Sequence, residues 1–234
     1  MARAPRLALA GELHCVVQRG HNGQRVFADD TDRQAYLAML RDAAAQHGLA
    51  IHAYALLDAA VHLLATPGAS ASLSQTMQSL GRRYVVAYNR RHSRSGTIWE
   101  GRFRAGLIDG ESLGLDALLM VDSMPVVAAL ATDAADWTWS SARHHLGRWR
   151  DPLVAEHAAY WRLGNTPFER EHAFTLKLRD GVPRATMQRI ECAAMQGRAA
   201  GTPEFTARIE RSIGRSLQAK PRGRPPLATL PCVD

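Results

Sequence analysis

The sequence predicts an α+β fold in which an antiparallel sheet packs against helices. Four short segments have the β-branched and apolar composition of strands, apolar residues at helical spacing fill the segments between them, and glycine, asparagine and proline lie at the junctions. Their order, β-α-β-β-α-β-α, is that of a ferredoxin-like sandwich with a four-stranded sheet and helices on one side. A chain of 234 residues that is 46% hydrophobic can bury one such core and some additional helices.

The first strand and the first helix are marked by their ends. Residues 12–19, Glu-Leu-His-Cys-Val-Val-Gln-Arg, are β-rich and stop at the turn formers Gly20 and Asn22-Gly23. Asp29-Asp30-Thr31-Asp32 begins a helix, because side-chain oxygens can cap free N–H groups there. The acidic cluster could instead ligate a metal, but its position at a helix start favours a cap. An apolar stripe then extends to Gly48 and contains Tyr36, Leu37, Leu40 and Ala44.

Two strands and a long helix form the middle of the chain. Residues 51–57 and 61–66 are predicted strands that meet at an Asp-Ala-Ala bend, and Pro67-Gly68 ends the second. A helix from about residue 72 to residue 91 follows. Its apolar residues recur at spacings of three or four and therefore share one face: Leu73, Met77, Leu80, Tyr84 and Tyr88.

The second half of the predicted sandwich is shorter. Residues 102–109 form the fourth strand, and residues 111–123 form a helix that Pro125 ends. Trp139-Ser140-Ser141 begins a short helix with serine caps. This part of the chain completes a first domain at residues 1–150.

Beyond residue 150 the pattern changes to helices and then to a tail. Residues 151–217 form a helical C-terminal region, in which residues 166–217 are predicted to form three helices separated by Gly181-Val182-Pro183 and Gly201-Thr202-Pro203. Residues 218–234 form a basic tail without a core-forming pattern.

The charge of the chain favours an anionic partner. The formal net charge is +7, and nearly all of the 29 basic residues are arginines, whose planar fork matches phosphate oxygens. Nucleic acid is therefore the first candidate. The densest predicted basic patch of the folded part consists of Arg82, Arg83, Arg90, Arg91, Arg94, Arg102 and Arg104.

Several other classes of protein are disfavoured. Cys15, Cys192 and Cys232 are far apart and form no Cys-x-x-Cys pair, so neither a disulfide framework nor a zinc site is supported. The N-terminal apolar run is too short for a signal peptide, and no run is long enough for a membrane span. We expect a cytoplasmic protein that has no membrane partner and associates with the nucleoid.

Several motifs follow one another in a specific order between about residues 6 and 147. They are Arg6-Leu7 with Gly11, His14, Val16-Val17 and Arg19-Gly20, then residues 26–33, Tyr84, residues 88–92, residues 96–103 and Trp139-Ser140-Ser141. In this ordered set the sequence resembles the tyrosine transposases associated with repetitive palindromes, which are IS200-like transposases with a His-hydrophobic-His motif. The resemblance implies a bacterial DNA-transposition fold, single-stranded or hairpin DNA as partner, and Mg²⁺ or Mn²⁺ as the cofactor of the family.

The catalytic positions that the resemblance identifies have lost their chemistry. The His-hydrophobic-His motif is here Ala60-Val61-His62, the nucleophilic tyrosine is Met120, and the third metal ligand, four residues later, is Met124. Neither methionine nor alanine can attack phosphorus or hold a hard divalent ion. We therefore expect no catalytic residue, no metal site and no cofactor. His62 is interpreted as a histidine satisfied by a neighbouring polar group.

The tail contains a second signal. Arg222-Gly223-Arg224-Pro225 resembles an AT-hook, whose arginines enter the narrow minor groove of A·T-rich duplex DNA. A plain solvated tail is the alternative.

The leading interpretation is a transposase-derived protein that binds single-stranded or hairpin DNA across the sheet and the arginine patch without cutting it. One alternative is an active transposase with a relocated site at Asp58, His62 and Tyr84, although Asp58 could simply form a turn. Another is an RNA-binding module. This alternative is disfavoured because the predicted strands show no adjacent pair of exposed aromatic residues. The sequence does not distinguish a monomer from a dimer.

Overall fold

A computed structural model describes residues 7–214, 216 and 217. The sheet within this part of the chain has five strands in the order β2-β3-β1-β4-β5, and its first four have the predicted ferredoxin-like arrangement. All neighbouring strands are antiparallel except β4 and β5. The strands are β1 (Leu13–Arg19), β2 (Leu49–Leu56), β3 (Ala60–Pro67), β4 (Arg104–Ile108) and β5 (Ala199–Ala200).

Eight α-helices occur in the described part of the chain. The long helix α2 begins and ends where its apolar stripe predicts. The helices are α1 (Asp30–His47), α2 (Ser72–Arg91), α3 (Gly114–Val127), α4 (Ala142–His145), α5 (Ala158–Trp161), α6 (Pro167–Asp180), α7 (Arg184–Gln196) and α8 (Pro203–Ile213). None of them combines the length and apolar character that a membrane crossing requires.

Both faces of the sheet are covered, so the prediction of helices on one side is wrong. Helices α1 and α2 cover one face, where Tyr36, Leu63 and Tyr84 belong to one apolar cluster. Helices α3 and α7 cover the other face, where Leu64, Met120 and Ile190 belong to a second cluster, and α6 packs against α3. The strands allow this because their side chains are apolar on both faces, as in sheets buried between two helical layers.

The C-terminal helices complete the second layer. The predicted three-helix pattern is confirmed by α6, α7 and α8, and α7 packs directly on the centre of β4. Gly106 permits this approach, because a Cβ atom there would collide with the backbone of Ala193 and Ala194. Residues after α7 then add β5 to the sheet edge, which periodicity could not indicate in a strand of two residues.

The ends of the helices confirm one predicted cap, correct a second predicted cap and correct the predicted end of α3. The Asp29 side chain accepts hydrogen bonds from the backbone N–H groups of Thr31 and Asp32, which confirms the cap of α1. Helix α3 continues past Pro125 to Val127, because a proline in the last turn removes only one backbone hydrogen bond. Ser141 precedes α4 but makes no side-chain cap, since its hydroxyl is engaged elsewhere.

Candidate functional site

The solvent-facing side of α2 carries several of the arginines of the predicted patch. The apolar stripe of the helix is buried against the sheet, so the arginines at the intervening positions point outward. Val86 lies among them with 69% of its surface exposed. These side chains line a shallow groove on the outer side of the helix, to which Arg91 also contributes. We define the α2 surface as the other residues that line this groove, which are Arg82, Arg83, Val86, Ala87 and Arg90.

The arginines of the α2 surface differ in how freely they can bind a ligand. Arg82 and Arg90 are exposed and form no ion pair within the described part of the chain. Arg83 forms a salt bridge with Asp42, at 3.1 Å between Nη2 and Oδ2, but both side chains are about half exposed. Such a pair contributes little stability and can open to a phosphate.

Arg91 was predicted in the same patch, but the structure gives it a structural role. Its guanidinium donates two hydrogen bonds to the Asp29 carboxylate, at 2.7 and 2.6 Å, and one to Asp32 at 2.6 Å. The hydrogen bond from Arg91 holds the pKa of Asp29 well below its usual range. Arg91 thus ties the C-terminus of α2 to the N-terminus of α1.

The remaining predicted arginines lie beyond the end of α2. The guanidinium of Arg94 lies over the ring of Tyr88, 5.6 Å from its centroid. Arg104 donates a hydrogen bond to the backbone carbonyl of Met195 at 3.2 Å, whereas Arg102 is exposed without an ion pair among the described residues. The structure therefore brings Arg82, Arg83 and Arg90 together and leaves Arg94, Arg102 and Arg104 outside this groove.

The sheet itself offers no nucleic-acid surface, which corrects the predicted binding across it. Its two faces lie under α1 and α2 on one side and under α3 and α7 on the other. Tyr54 of β2 is buried and donates its hydroxyl hydrogen bond to Asp151 at 2.6 Å, so it cannot stack on a base. The contacts of RNA-binding sheets with bases require exposed aromatic rings.

The four positions of the catalytic motif lie on the side of the sheet that α3 covers. Ala60, Met120 and Met124 all contact the second apolar cluster, and Met120 is only 2% exposed. His62 is on the same face as Ala60, because side chains alternate along a strand. The geometry thus brings the four positions to one side of the sheet, as the resemblance implies.

His62 is not satisfied by a neighbouring polar group, contrary to the prediction. Its Nδ1 atom is buried and has no hydrogen-bond partner within the described residues. Burial, together with the nearby charge of Arg19, lowers the pKa of His62 to about 4. The imidazole is therefore neutral at pH 7.

These side chains do not fit a hard divalent ion. Mg²⁺ and Mn²⁺ prefer several oxygen or nitrogen ligands, and methionine offers a soft thioether. No group of three or more His, Cys, Asp or Glu side chains that could hold a metal occurs among residues 7–214, 216 and 217. Of the four motif positions, only His62 offers a ligand atom that such an ion prefers.

The residues of the predicted relocated site do not come together. Tyr84 belongs to the cluster under α1 and α2, on the face of the sheet opposite His62, and its hydroxyl donates to the carbonyl of Val26 at 2.6 Å. Both carboxylate oxygens of Asp58 are occupied, by Arg33 at 2.5 Å and by Arg25 at 3.0 Å. Burial also raises the pKa of the Tyr84 phenol, which opposes its ionisation.

A buried polar cluster beside α3 escaped sequence reasoning. Asp122 accepts a hydrogen bond from the Ser141 hydroxyl at 2.5 Å and contacts His145 Nδ1 at 2.7 Å. Ser141 Oγ also accepts from the backbone N–H of Tyr54 at 2.9 Å. The available signal was that Asp122 directly follows the apolar run of residues 117–121 in α3. Because Asp122, Ser141 and His145 are fully buried, we assign them to holding α3, α4 and β2 together.

The tail lies outside the described residues. Arg222 and Arg224, the arginines of the AT-hook-like segment, therefore have no structural context here, and their contact with A·T-rich duplex stays a prediction.

Comparisons with known proteins support the fold. No protein-family model and no curated protein matches the sequence. A solved structure of a REP-associated tyrosine transposase bound to a REP hairpin matches with a TM-score of 0.55 and 16% identity, over 68% of this chain and 96% of that one. A candidate transposase from Deinococcus radiodurans R1 matches with a TM-score of 0.34 and 21% identity, over 45% of this chain and 82% of that one, which is too low a score to carry an argument. The first likeness shows that the chain has the fold of a REP-associated tyrosine transposase.

Proposed function

We propose that this protein is a transposase-derived DNA-binding protein that recognises single-stranded or hairpin DNA through the α2 surface and does not cut it. The observation that carries the proposal is the exposure of Arg82 and Arg90, neither of which forms an ion pair with a described residue, along one side of a helix whose other side is firmly packed. A rigid helix holds these charges at fixed positions, which limits the entropy lost on binding.

The dimensions of the α2 surface suit a nucleic-acid backbone. Residues 82 and 90 are separated by about 12 Å along the helix axis. This distance spans several phosphates of a strand, which follow one another at roughly 3.4 Å along a duplex axis. The exposed Val86 between the arginines offers an apolar contact to sugars or to unpaired bases.

The absence of cleavage is proposed from the buried region. A tyrosine transposase needs a phenol to attack phosphorus and an electrophile to polarise the scissile phosphate. Met120 supplies no nucleophile, and Ala60 and Met124 supply no ligand beside His62. Ala60, Met120 and Met124 contact an apolar cluster, so they offer a phosphate no polar partner.

Hairpin DNA is proposed as the preferred form because the transposase that shares this fold was solved bound to a REP hairpin. The AT-hook-like tail would add contacts to A·T-rich duplex beside the hairpin. We further propose that the protein lies with the nucleoid in a bacterial cytoplasm.

The proposal is tested by titrating labelled hairpin, single-stranded and blunt duplex DNA with the purified protein. We expect the tightest binding to the hairpin or the single strand, with the same affinity in Mn²⁺ and in EDTA at matched ionic strength. A preference for blunt duplex would contradict the proposed target.

Cleavage is tested separately with a 5′-labelled strand that carries a hairpin. We expect no covalent protein–DNA adduct on a denaturing gel, with or without Mn²⁺. Adduct formation by the wild-type protein would overturn the non-catalytic part of the proposal and leave the binding part standing.

A further inference from the structure

A second groove lies between α1 and the segment that follows α3, and the basic patch predicted from the sequence does not include it. It has a volume of about 510 Å³, which is within the usual range of small-ligand sites. None of the residues that line it belongs to α2. We define the Trp149 groove by its principal lining residues, which are Leu37, Arg41, Trp139, Arg143, Arg148 and Trp149.

The walls of the Trp149 groove combine apolar and aromatic surface. Leu37 and Trp139 are half-buried and pack against the cluster under α1 and α2. Trp149 is 54% exposed, and its indole makes no ring contact with another aromatic residue or an arginine in the described part of the chain. Trp161 is equally exposed at 53%, but the guanidinium of Arg170 covers its ring at 4.1 Å. The Trp149 ring is thus left free for a ligand.

The charges of the groove favour an anion. Arg41, Arg143 and Arg148 form no ion pair within the described residues, and the Nε atom of Arg143 is buried without a hydrogen-bond partner. The only carboxylate that lines the groove within the described residues, Asp151, is already engaged, because its oxygens accept from the Tyr54 hydroxyl at 2.6 Å and from the Leu153 N–H at 2.9 Å. An unpaired buried donor costs free energy unless an acceptor reaches it.

We infer that the Trp149 groove binds one unpaired nucleotide of a DNA strand, with its base stacked on the Trp149 indole and its phosphate held by Arg143 and Arg148. An exposed aromatic ring beside free arginines is the arrangement by which proteins hold single-stranded nucleic acid. A paired base cannot enter, because both of its faces are covered in the duplex. The inference rests on the proposed DNA-binding function and adds a site that distinguishes unpaired from paired nucleotides.

The test is a titration of tryptophan fluorescence with an eight-nucleotide thymidine strand. A second strand of the same length and charge, in which every base is removed, separates stacking from charge. We expect the thymidine strand to quench fluorescence and to bind at least about fivefold more tightly than the abasic strand, the lower end of what one stacked base contributes.

Substitution of Trp149 locates the effect. In Trp149→Leu the difference in affinity between the two strands should disappear, whereas the matched control Trp161→Leu should keep it, because the Trp161 ring is already covered by Arg170. Both positions are about half exposed, so both variants should fold, which circular dichroism checks. Arg148→Ala should lower the affinity for the thymidine strand and for the abasic strand by the same factor, since it removes only a phosphate contact.

Equal affinities of the wild-type protein for thymidine and abasic strands would overturn the inference, and so would an unchanged difference in Trp149→Leu. The outcome is separable from that of the proposed function. Loss of hairpin binding in α2-surface variants with no effect of Trp149→Leu would remove the nucleotide site alone. A Trp149-dependent preference for bases in a protein that binds no hairpin would keep the nucleotide site and remove the hairpin target.

Discussion

The α2 surface and the buried region around His62 differ in how packing constrains their charged and polar side chains. On α2, arginines stand at exposed positions that packing does not constrain, so the surface can keep or change them at small cost. In the region around His62, the side chains of Ala60, Met120 and Met124 contact an apolar cluster. Burial of the polar imidazole of His62 in this region costs desolvation free energy. Exposed arginines on α2 and apolar side chains around His62 therefore occur in one fold, where packing constrains only the second group.

The largest expected effect is in the buried region. Asp122→Ala should lower the free energy of unfolding by about 2–4 kcal/mol, because it removes the acceptor that buried His145 and Ser141 share, and each buried group left unsatisfied costs about 1–3 kcal/mol. Urea unfolding followed by circular dichroism measures the change. The matched control is Asp42→Ala on the surface, where a loss of at most about 1 kcal/mol is expected. Equal losses in the two variants would erase the contrast between buried and exposed carboxylates.

A second effect depends on pH. Burial lowers the pKa of His62 to about 4, below the value of about 6.5 in an unfolded chain, so the unfolded state takes up a proton first as the pH falls. Stability from this residue is complete above about pH 6.5 and is lost progressively down to about pH 4.

His62→Leu removes this proton uptake and the unpaired Nδ1 atom together. The variant should be more stable than the wild type by about 2 kcal/mol at pH 5, with a smaller difference at pH 8. Urea unfolding at both pH values measures it. A difference that is the same at pH 5 and pH 8 would mean that His62 does not titrate as a buried group.

Much of the fold could be predicted because its signals are local. The apolar stripe and flanking residues of α2 define its ends, and the acidic cap of α1 is contained within four residues. The second helical layer could not be predicted, because it depends on α7 meeting β4, whose Gly106 lies far from Ala193 in sequence. Local sequence gives no information on such long-range packing.

The candidate site shows the same division. The outward position of Arg82 and Arg90 follows from helical periodicity alone. The engagement of Arg91 by Asp29 and Asp32 does not, because those carboxylates are about 60 residues away along the chain. Likewise, the position of Ser141 before a helix predicts a cap, but in the structure its hydroxyl donates a hydrogen bond to Asp122.

The smallest expected effect is on the α2 surface itself. Asp42→Ala releases Arg83 from its salt bridge and should increase the affinity for hairpin DNA at low salt, with about one additional phosphate contact in the salt slope. The affinity is measured by fluorescence anisotropy between roughly 50 and 200 mM salt, because contacts with DNA phosphates weaken over this range. An unchanged slope would show that Arg83 is not a DNA contact even when it is free.

The most direct test of the central claim is the salt dependence of hairpin affinity in Arg82→Ala/Arg90→Ala. The matched control is Arg179→Ala/Arg184→Ala, which removes the same charge from exposed positions on α6 and α7. We expect the α2 variant to bind more weakly and to lower the slope of log affinity against log salt by about two, roughly one for each lost phosphate contact, while the control keeps the wild-type slope. Identical slopes in the wild type and the α2 variant would contradict the assignment of the α2 surface as the DNA-binding site.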